Sequence, residues 1–223
     1  MARFLIVAPS GPSTAGQGRY EYRCWPGADT SVLGAVQDGW PLETCEIRTD
    51  VHLVGAAGAG SNVKLRGGTR LEVKVMEGRC GPLEYWRMPL SVPFPLDRQA
   101  LRVLRARLGG LGPIDDDART SPAALISAIA GAGRPVRAVS LRKARLLFRR
   151  GSCRVEITSA RIDGHRRLTV GLEDPDPRSA MTAAHDLGLG RYPNRDYASV
   201  LGMGALPQPT PTDRPLHSRG AFS

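Results

Sequence analysis

Alternation of polar and apolar residues predicts much of this chain as β-strands, each with one polar and one apolar face. The clearest case runs from Ser61 to Met76, where polar residues at every second position alternate with Val and Leu. A three-residue loop, Gly67-Gly68-Thr69, keeps both faces of this hairpin uniform because it sets Lys64 opposite Glu72, whereas a two-residue loop would mix the faces. The predicted hairpin therefore carries a wall of basic groups around one carboxylate. An ordinary solvated face of an antiparallel sheet is the alternative.

Other segments show the same alternation. The further predicted strands are 19–25, 45–54, 135–149, 153–162 and 166–173. Of these, 135–149 departs from the alternation, because its basic residues share a face with apolar ones: Arg137, Lys143, Arg145 and Arg149 with Val139, Leu141 and Leu147. Asp163-Gly164 joins the last two of these strands as a two-residue hairpin turn, which sets Arg154 opposite Glu173. Residues 81–96 are Pro-rich and are interpreted as irregular, with Trp86 packing inward.

Helical patterns and turn-rich segments complete the predicted organisation. The predicted helices are 30–38, 97–109, 121–132, 178–187 and 194–201. Asp97 is the expected N-cap of the second helix and Asn194 that of the last. Residues 1–18 are interpreted as a flexible lead-in, 19–204 as a single domain and 205–223 as a disordered tail, since the tail lacks hydrophobic periodicity.

Two parts of the chain resemble each other. Lys64-x-Arg66 and Lys143-x-Arg145 each lead into a turn and a strand that returns with an apolar-Glu-apolar step, at Glu72 and Glu156. If the similarity is more than coincidence in an Arg-rich chain, two half-sheets face each other in a closed barrel, with polar walls inward and helices outside. Because dry, unpaired cations would cost too much free energy, such a barrel should be wet and should hold an anion.

Charge and composition narrow the choice of partner. The net charge of +10 favours a polyanion: nucleic acid, a polyphosphate or an anionic surface. Nucleic acid is the weaker choice, because few aromatic residues are interleaved with the basic ones. The four cysteines lack paired spacing and indicate reduced thiols in a cytoplasmic protein. The FLIVA run near the start is too short for a signal peptide or a membrane span, so no membrane partner is expected.

Six segments, taken in order, resemble the CYTH domain, or triphosphate tunnel metalloenzyme, superfamily over residues 19–202. They are RYEYR (19–23), RTDVHL (48–53), NVKLRGG-TRLEVK (62–74), RKAR (142–145), DGHRRLTVGLE (163–173) and LGLGRYPNRDYASVL (187–201). The resemblance implies an α+β fold: an antiparallel eight-stranded β-barrel, or tunnel, with a polar interior and helices packed outside. It also implies a phosphorylated, anionic small-molecule substrate and a triphosphatase-type phosphohydrolase, with a nucleotidyl cyclase as the less favoured activity.

The same resemblance assigns roles by position. Inward bases would grip the phosphates: Arg23, Arg48, Lys64, Arg66, Lys74, Lys143 and Arg145. Inward acids would hold Mg²⁺ or Mn²⁺: Glu21, Glu72, Glu156 and Glu173. Asp50 and His52 are the candidate catalytic residues, His52 as a general acid or base near neutral pH. For His52 the alternative is a hydrogen-bonded histidine of the wall, for Glu72 a spacer between like charges, and for Glu21 an ion pair.

Two departures from the family pattern affect the predicted metal site. Arg19 stands where the first strand of the family has an acid, and Gly171 stands where the last strand has another Glu. Hard cations need several oxygen ligands, so metal binding is left open. The alternatives are a degenerate tunnel that binds a nucleotide or polyphosphate without turnover, or one repurposed for different chemistry on an acidic small molecule. The sequence gives no indication of the oligomeric state.

Overall fold

Eight antiparallel strands close into a barrel in the computed structural model, which describes residues 18–27, 29–55, 60–109, 111, 114–131 and 136–202. The strands are β1 (Arg19–Cys24), β2 (Leu42–Val54), β3 (Ser61–Arg66), β4 (Arg70–Cys80), β5 (Leu83–Pro93), β6 (Arg137–Arg150), β7 (Cys153–Ile162) and β8 (His165–Asp174). Their order around the barrel is β1-β5-β4-β3-β2-β6-β7-β8. The α+β barrel predicted from the sequence is confirmed.

Five α-helices accompany the barrel within these described ranges. They are α1 (Ser31–Gly39), α2 (Arg98–Leu108), α3 (Pro122–Gly131), α4 (Pro177–Asp186) and α5 (Tyr197–Gly202), with short 3-10 helices at Asp116–Arg119 and Leu189–Arg191. In the described part of the chain, no helix is long and apolar enough to span a membrane. Apart from Gly18, the predicted lead-in and tail lie outside the described residues.

Both hairpin registers predicted from alternation are confirmed. Lys64 pairs with Glu72 across a loop at 67–69, and Arg154 pairs with Glu173 across Asp163-Gly164. The turn glycines Gly67 and Gly68 have positive φ angles of 58° and 69°, a region that glycine enters without steric cost. The strands of these two hairpins therefore keep their polar and apolar residues on opposite faces.

The apolar faces of the strands turn outward against the helices and form two cores. On one side, β3 and β4 pack against α2 and α3 through buried residues that include Leu65, Leu71, Leu104 and Leu125. On the other side, β1, β7 and β8 pack against α1 and α4, with Val36 and Ala180 fully buried. Since the outer faces are the apolar ones, the polar faces line the inside of the barrel, as predicted.

The interpretation of 81–96 as irregular is wrong. Residues 83–93 form β5, which pairs with both β1 and β4 and is needed to close the barrel. Pro89 hid this strand, because proline lacks the N–H group that a sheet requires. In the structure Pro89 falls at a register shift between Val73 and Val75 of β4 and beyond the last pairing with β1, where no ladder hydrogen bond is lost.

The predicted cap of the last helix is also wrong. The helix starts at Tyr197, and the Asp196 carboxylate accepts hydrogen bonds from the backbone N–H groups of Ala198 and Ser199 at 3.1 and 2.9 Å. Asn194 instead binds the backbone of β1. Its amide donates to the carbonyl oxygen of Glu21 at 3.2 Å and accepts from the Arg23 N–H at 2.8 Å.

Candidate functional site

Strand pairing brings the predicted site residues together on the inner face of the barrel. His52 lies opposite Lys64 between β2 and β3, and Lys64 lies opposite Glu72 between β3 and β4. On the other side of β2, Arg48 lies opposite Lys143 of β6. The same faces carry the remaining predicted residues: Glu21, Arg23, Asp50, Arg66, Lys74, Arg145, Glu156 and Glu173. Their placement agrees with the sequence analysis, while their roles stay predictions.

The inner wall is an ion-pair network with an excess of positive charge. Two groups of connected ion pairs on this wall contain six cations and four carboxylates, which is an excess of two positive charges when Lys64 and Lys143 are protonated. The cations are Arg23, Arg48, Lys64, Arg66, Lys143 and Arg145, and the carboxylates are Glu46, Asp50, Glu72 and Glu156. Uncompensated cations inside a protein favour the entry of an anion.

Glu72 forms ion pairs with both members of the first basic pair, Lys64 and Arg66. Its carboxylate lies 3.3 Å from Lys64 Nζ and 2.8 Å from Arg66 Nη1. Burial would raise the pKa of Glu72, but the two cations outweigh it and the pKa is lowered. Glu72 therefore lies as a carboxylate between Lys64 and Arg66, and its role as a metal ligand or as a spacer stays a prediction.

The floor of the tunnel is the set Asp50, His52, Lys143 and Tyr197. Lys143 Nζ donates to Asp50 Oδ2 at 3.0 Å and lies 3.3 Å from His52 Nε2. The Tyr197 ring covers this group from α5, with its centroid 4.0 Å from Lys143 Nζ and 5.4 Å from that of His52. Buried Leu141, opposite Asp50 on the same inner face, packs in the same cluster as Tyr197. The floor of the tunnel thus combines apolar packing between Leu141 and Tyr197 with a buried cation, Lys143.

Burial sets the protonation of the floor groups. It lowers the pKa of Lys143 to about 8 and, with Arg66 nearby, that of Lys64 to about 7. Burial also holds the pKa of His52 well below its usual value, helped by the positive charges of Lys143 and Lys64. Burial would raise the pKa of Asp50, but Lys143 and Lys64 outweigh it and keep this carboxylate ionised.

A neutral His52 has a defined tautomer. An ammonium group has only donors, so Lys143 requires the His52 Nε2 lone pair, and the ring proton then resides on Nδ1. His52 Nδ1 is buried and has no hydrogen-bond partner within the described ranges. This donor, rather than a charged acid or a free base, is what His52 presents in this arrangement.

Solvent exposure of the side chains increases from the floor to the other end of the barrel. Asp50 and Lys143 expose 0% and 3% of their side chains, whereas Arg66 and Arg154 expose 35% and 34%. Strand direction places Arg66 and Arg154 at the same end, away from α5. An anion would therefore enter between arginines and meet lysines at the floor.

The sequence analysis missed Glu84 on β5. Its carboxylate accepts hydrogen bonds from Trp86 Nε1 at 3.1 Å and from Arg79 Nη2 at 2.8 Å, and it lies opposite Glu21 of β1. Burial raises the pKa of Glu84, with a further contribution from the charge of Asp196. The aromatic pair Tyr85 and Trp86, typical of strands, could have shown this element, but the surrounding prolines outweighed that signal.

The four predicted metal ligands do not fit a metal site, because each already faces a cation. Glu21 pairs with Lys74, Glu156 with Arg23 and Arg145, and Glu173 with Arg154 at 3.5 Å. Glu72 pairs with Lys64 and Arg66, as described above. Nowhere in the described ranges do three or more His, Cys, Asp or Glu side chains converge in a way that could hold an ion. The carboxylates of this tunnel neutralise its own bases.

Comparison with known proteins gives matches at the level of structure. No protein-family model matches the sequence, and no curated protein matches it. A candidate adenylyl cyclase from Hippeastrum, described as having a dominant triphosphatase activity, is 14% identical, with 84% of this chain and 97% of that chain covered and a TM-score of 0.52. A conserved hypothetical protein from Pyrococcus furiosus is 14% identical, with 81% and 98% covered and a TM-score of 0.48. A candidate adenylate cyclase from Bacillus halodurans is 8% identical, with 79% and 93% covered and a TM-score of 0.46.

The likeness to the Hippeastrum structure, at low sequence identity, is a likeness of fold. It covers the same barrel that alternation and strand pairing define here. The chain therefore has the triphosphate tunnel fold that the sequence resemblance predicted, and it is a divergent representative of that fold.

Proposed function

We propose that the tunnel binds the phosphate chain of a triphosphate-type anion. The observation that carries this proposal is the excess of two positive charges in the described ion-pair network, enclosed by a barrel wall. A linear polyphosphate matches such a lining, because its charges are spread along its length and each phosphate can accept from several donors.

The order of the bases supports an orientation for the anion. Arg66 and Arg154 at the exposed end would meet it first, and arginine suits this role since its fork can bind two phosphate oxygens. Lys64 and Lys143 lie deeper, near the His52 Nδ1–H donor, and would hold the innermost phosphate. Phosphate binding would raise the pKa of both lysines and keep them protonated.

Calorimetry on the full chain tests the proposal with a matched pair of variants. Tripolyphosphate is titrated into the wild type, Lys143→Ala and Arg142→Ala, with citrate as a carboxylate anion for comparison. Arg142 is adjacent to Lys143 but points to the exposed outer face, so the two variants lose the same charge from opposite sides of one strand. Lys143→Ala should weaken binding by about 100-fold, as expected for loss of a buried charged hydrogen bond, and Arg142→Ala by less than about twofold.

Two results would contradict the proposal. Equal losses in Lys143→Ala and Arg142→Ala would assign binding to general positive charge rather than to the tunnel. Citrate binding as tightly as tripolyphosphate would favour the alternative of a site for an acidic small molecule. Strong binding of tripolyphosphate, ATP and thiamine triphosphate alike would support recognition of the phosphate chain itself.

Hydrolysis of that anion is the second candidate function. The charged groups of the floor would stabilise negative charge that develops on a leaving phosphate. The Hippeastrum protein, which shares the fold, is described as having a dominant triphosphatase activity. Against turnover, the Nε2 lone pair of His52 accepts from Lys143, and the positive charges of Lys143 and Lys64 outweigh burial and lower the pKa of Asp50, so both groups are poor bases toward water.

Phosphate release separates binding from turnover. The wild type is incubated with tripolyphosphate, ATP or thiamine triphosphate, in EDTA and with Mg²⁺ or Mn²⁺, beside Lys143→Ala as background. Release of phosphate or pyrophosphate above that background would support the hydrolase. Tight binding with no release would support a tunnel that binds without turnover.

A further inference from the structure

Arg23 crosses a neighbouring strand to reach its partner. Arg23 on β1 lies opposite Gly171 on β8, and Gly171 lies opposite Glu156 on β7. The Arg23 guanidinium passes over Gly171 and donates to Glu156 Oε1 at 3.2 Å and to Thr169 Oγ1 at 3.1 Å. Neighbouring strands lie about 4.8 Å apart, so the side chain spans one whole strand.

Glycine at position 171 makes this path possible. A Cβ atom added to Gly171 would lie 2.5 Å from Nη2 and 2.8 Å from Cζ of Arg23, closer than real atoms approach. Gly171 is absent from the glycines with positive φ, so its backbone does not require glycine. The Arg23 guanidinium therefore fills the space directly over Gly171, and this space is the seat of the guanidinium.

The guanidinium occupies the region where the family resemblance predicted a carboxylate and a metal ion. Glu156, the nearest acid, accepts from Arg23, from Arg145 and from Thr158 Oγ1, the last at 2.6 Å. Burial would raise the pKa of Glu156, but Arg23 and Arg145 outweigh it and hold the pKa well below its usual value. Two guanidinium groups thus share the Glu156 carboxylate, and Arg145 also pairs with Glu46, so Glu156 is held by fixed cations rather than left free for a metal ion.

We propose that Arg23, seated on Gly171, is a fixed cation that takes the place of a metal ion, so that the tunnel binds its phosphate anion without Mg²⁺ or Mn²⁺. This inference rests on the proposed binding function. A guanidinium is charged at every accessible pH and has further N–H groups beyond those that hold Glu156 and Thr169. Because the seat fixes the group before the anion arrives, little ordering is needed on binding.

The test uses calorimetric titration of tripolyphosphate into the full chain in EDTA and then with Mg²⁺ or Mn²⁺. The wild type should bind in EDTA, and added metal should not strengthen binding by more than about twofold. Arg23→Met should weaken metal-free binding by about tenfold or more. Gly171→Ala should weaken it by about fivefold, because the added methyl group displaces the guanidinium without changing any charge.

Gly78→Ala is the matched control for the glycine variant. Gly78 also lies in a strand, and a Cβ atom there would meet nothing within 4 Å. The affinity of Gly78→Ala for tripolyphosphate should equal that of the wild type. If Gly171→Ala binds as tightly as Gly78→Ala does, the seat has no role and the inference is wrong.

The failure of this inference differs from the failure of the proposed function. Binding that requires Mg²⁺ or Mn²⁺ would overturn the fixed-cation role and leave anion binding intact. Absence of binding in every condition would overturn both. Titration of Mn²⁺ alone, followed by its paramagnetic resonance signal, gives an independent readout: a saturable site that is lost in Glu156→Gln would overturn the inference, and its absence would support it.

Discussion

Lys143 and Asp50 form a buried ion pair on the tunnel floor, with 3.0 Å between Nζ and Oδ2 and exposed side-chain fractions of 3% and 0%. They lie on adjacent strands, β6 and β2, which are separated in sequence by the whole β3–β5 sheet and by α2 and α3. Asp50 also pairs with Arg48, at 3.1 Å. The pair thus connects the two halves of the barrel at its least exposed point.

Removing Asp50 should destabilise the fold. Asp50→Ala leaves Lys143 and Arg48 without this carboxylate, and loss of one partner of a buried pair costs about 3–5 kcal/mol. We expect a fall of about 3 kcal/mol in the free energy of unfolding, measured in urea, since Lys143 can relieve part of the cost by losing its proton. The Asp50→Ala/Lys143→Met double variant should lose less than the sum of the two single losses. Strict additivity would mean that the pair is not coupled.

Anion affinity should fall as the pH rises through the lowered lysine pKa values. The pKa is about 7 for Lys64 and about 8 for Lys143, and both groups must be protonated to attract phosphate. Titrations from about pH 6.5 to about pH 9.5 should show this fall, and they should show proton uptake on binding when buffers of different ionisation enthalpy are compared. Lys64→Arg/Lys143→Arg should flatten the profile, because arginine stays charged. An equally steep profile in that variant would point to ionisation of the ligand instead.

The stability of the free protein should change with pH in the opposite direction. The folded-state pKa of Lys143 lies below its ordinary value of 10.5, so the unfolded chain binds more protons between these two values. Stability then rises with pH over that range. Urea denaturation of the wild type and Lys143→Met at pH 7.5 and about pH 9.5 tests this, with a smaller rise expected in the variant. A rise in stability of the same size in the wild type and in Lys143→Met would mean that titrating groups other than Lys143 cause it.

The ring of Tyr197 should matter more than its hydroxyl group. Its centroid lies 4.0 Å from Lys143 Nζ and 4.7 Å from Arg23 Cζ, within range of cation–π attraction. Tyr197→Leu should lower the anion affinity by about three- to tenfold, since it removes about 1 kcal/mol of support for these charges. Tyr197→Phe keeps the ring and should bind within about twofold of the wild type. Equal losses in both variants would assign the effect to the hydroxyl group.

Asn194 should stabilise the junction between β1, β5 and the segment before α5. Its side chain accepts from the Arg23 N–H at 2.8 Å and donates to the Pro82 carbonyl oxygen at 2.9 Å. Asn194→Ala should lower the free energy of unfolding by about 1–3 kcal/mol, because these backbone groups lose their partner. Asn194→Asp keeps the acceptor and loses both donors, so its free energy of unfolding should lie between those of the wild type and Asn194→Ala. An unchanged stability in Asn194→Ala would show that water replaces the bridge.

The faces and the registers of the two hairpins follow from the alternation of polar and apolar residues alone. Alternation specifies register strongly, because a slip of one residue would expose Leu65 and Leu71 and place charges against the helices. For the same reason the inward position of Lys64 and Glu72 could be predicted without a structure, whereas that of Lys143 was predicted from its likeness to the first basic pair, since its own face also carries Leu141. The alternation signal failed at β5, where Pro89 contradicts strand propensity and is accommodated by a bulge of β5 itself, in which Met88 and Pro89 lie opposite Lys74.

Which charges meet inside the barrel depends on contacts that form in the closed fold. Alternation places Arg23, Glu156 and Gly171 on inner faces, but it cannot show that Arg23 crosses the glycine to reach the acid. Such contacts join strands that are far apart in sequence, and they exist only after the barrel closes. When the barrel closes, the predicted metal ligands pair with the predicted phosphate ligands. The acids therefore neutralise part of the basic wall, and the remaining positive charge is available to an anion.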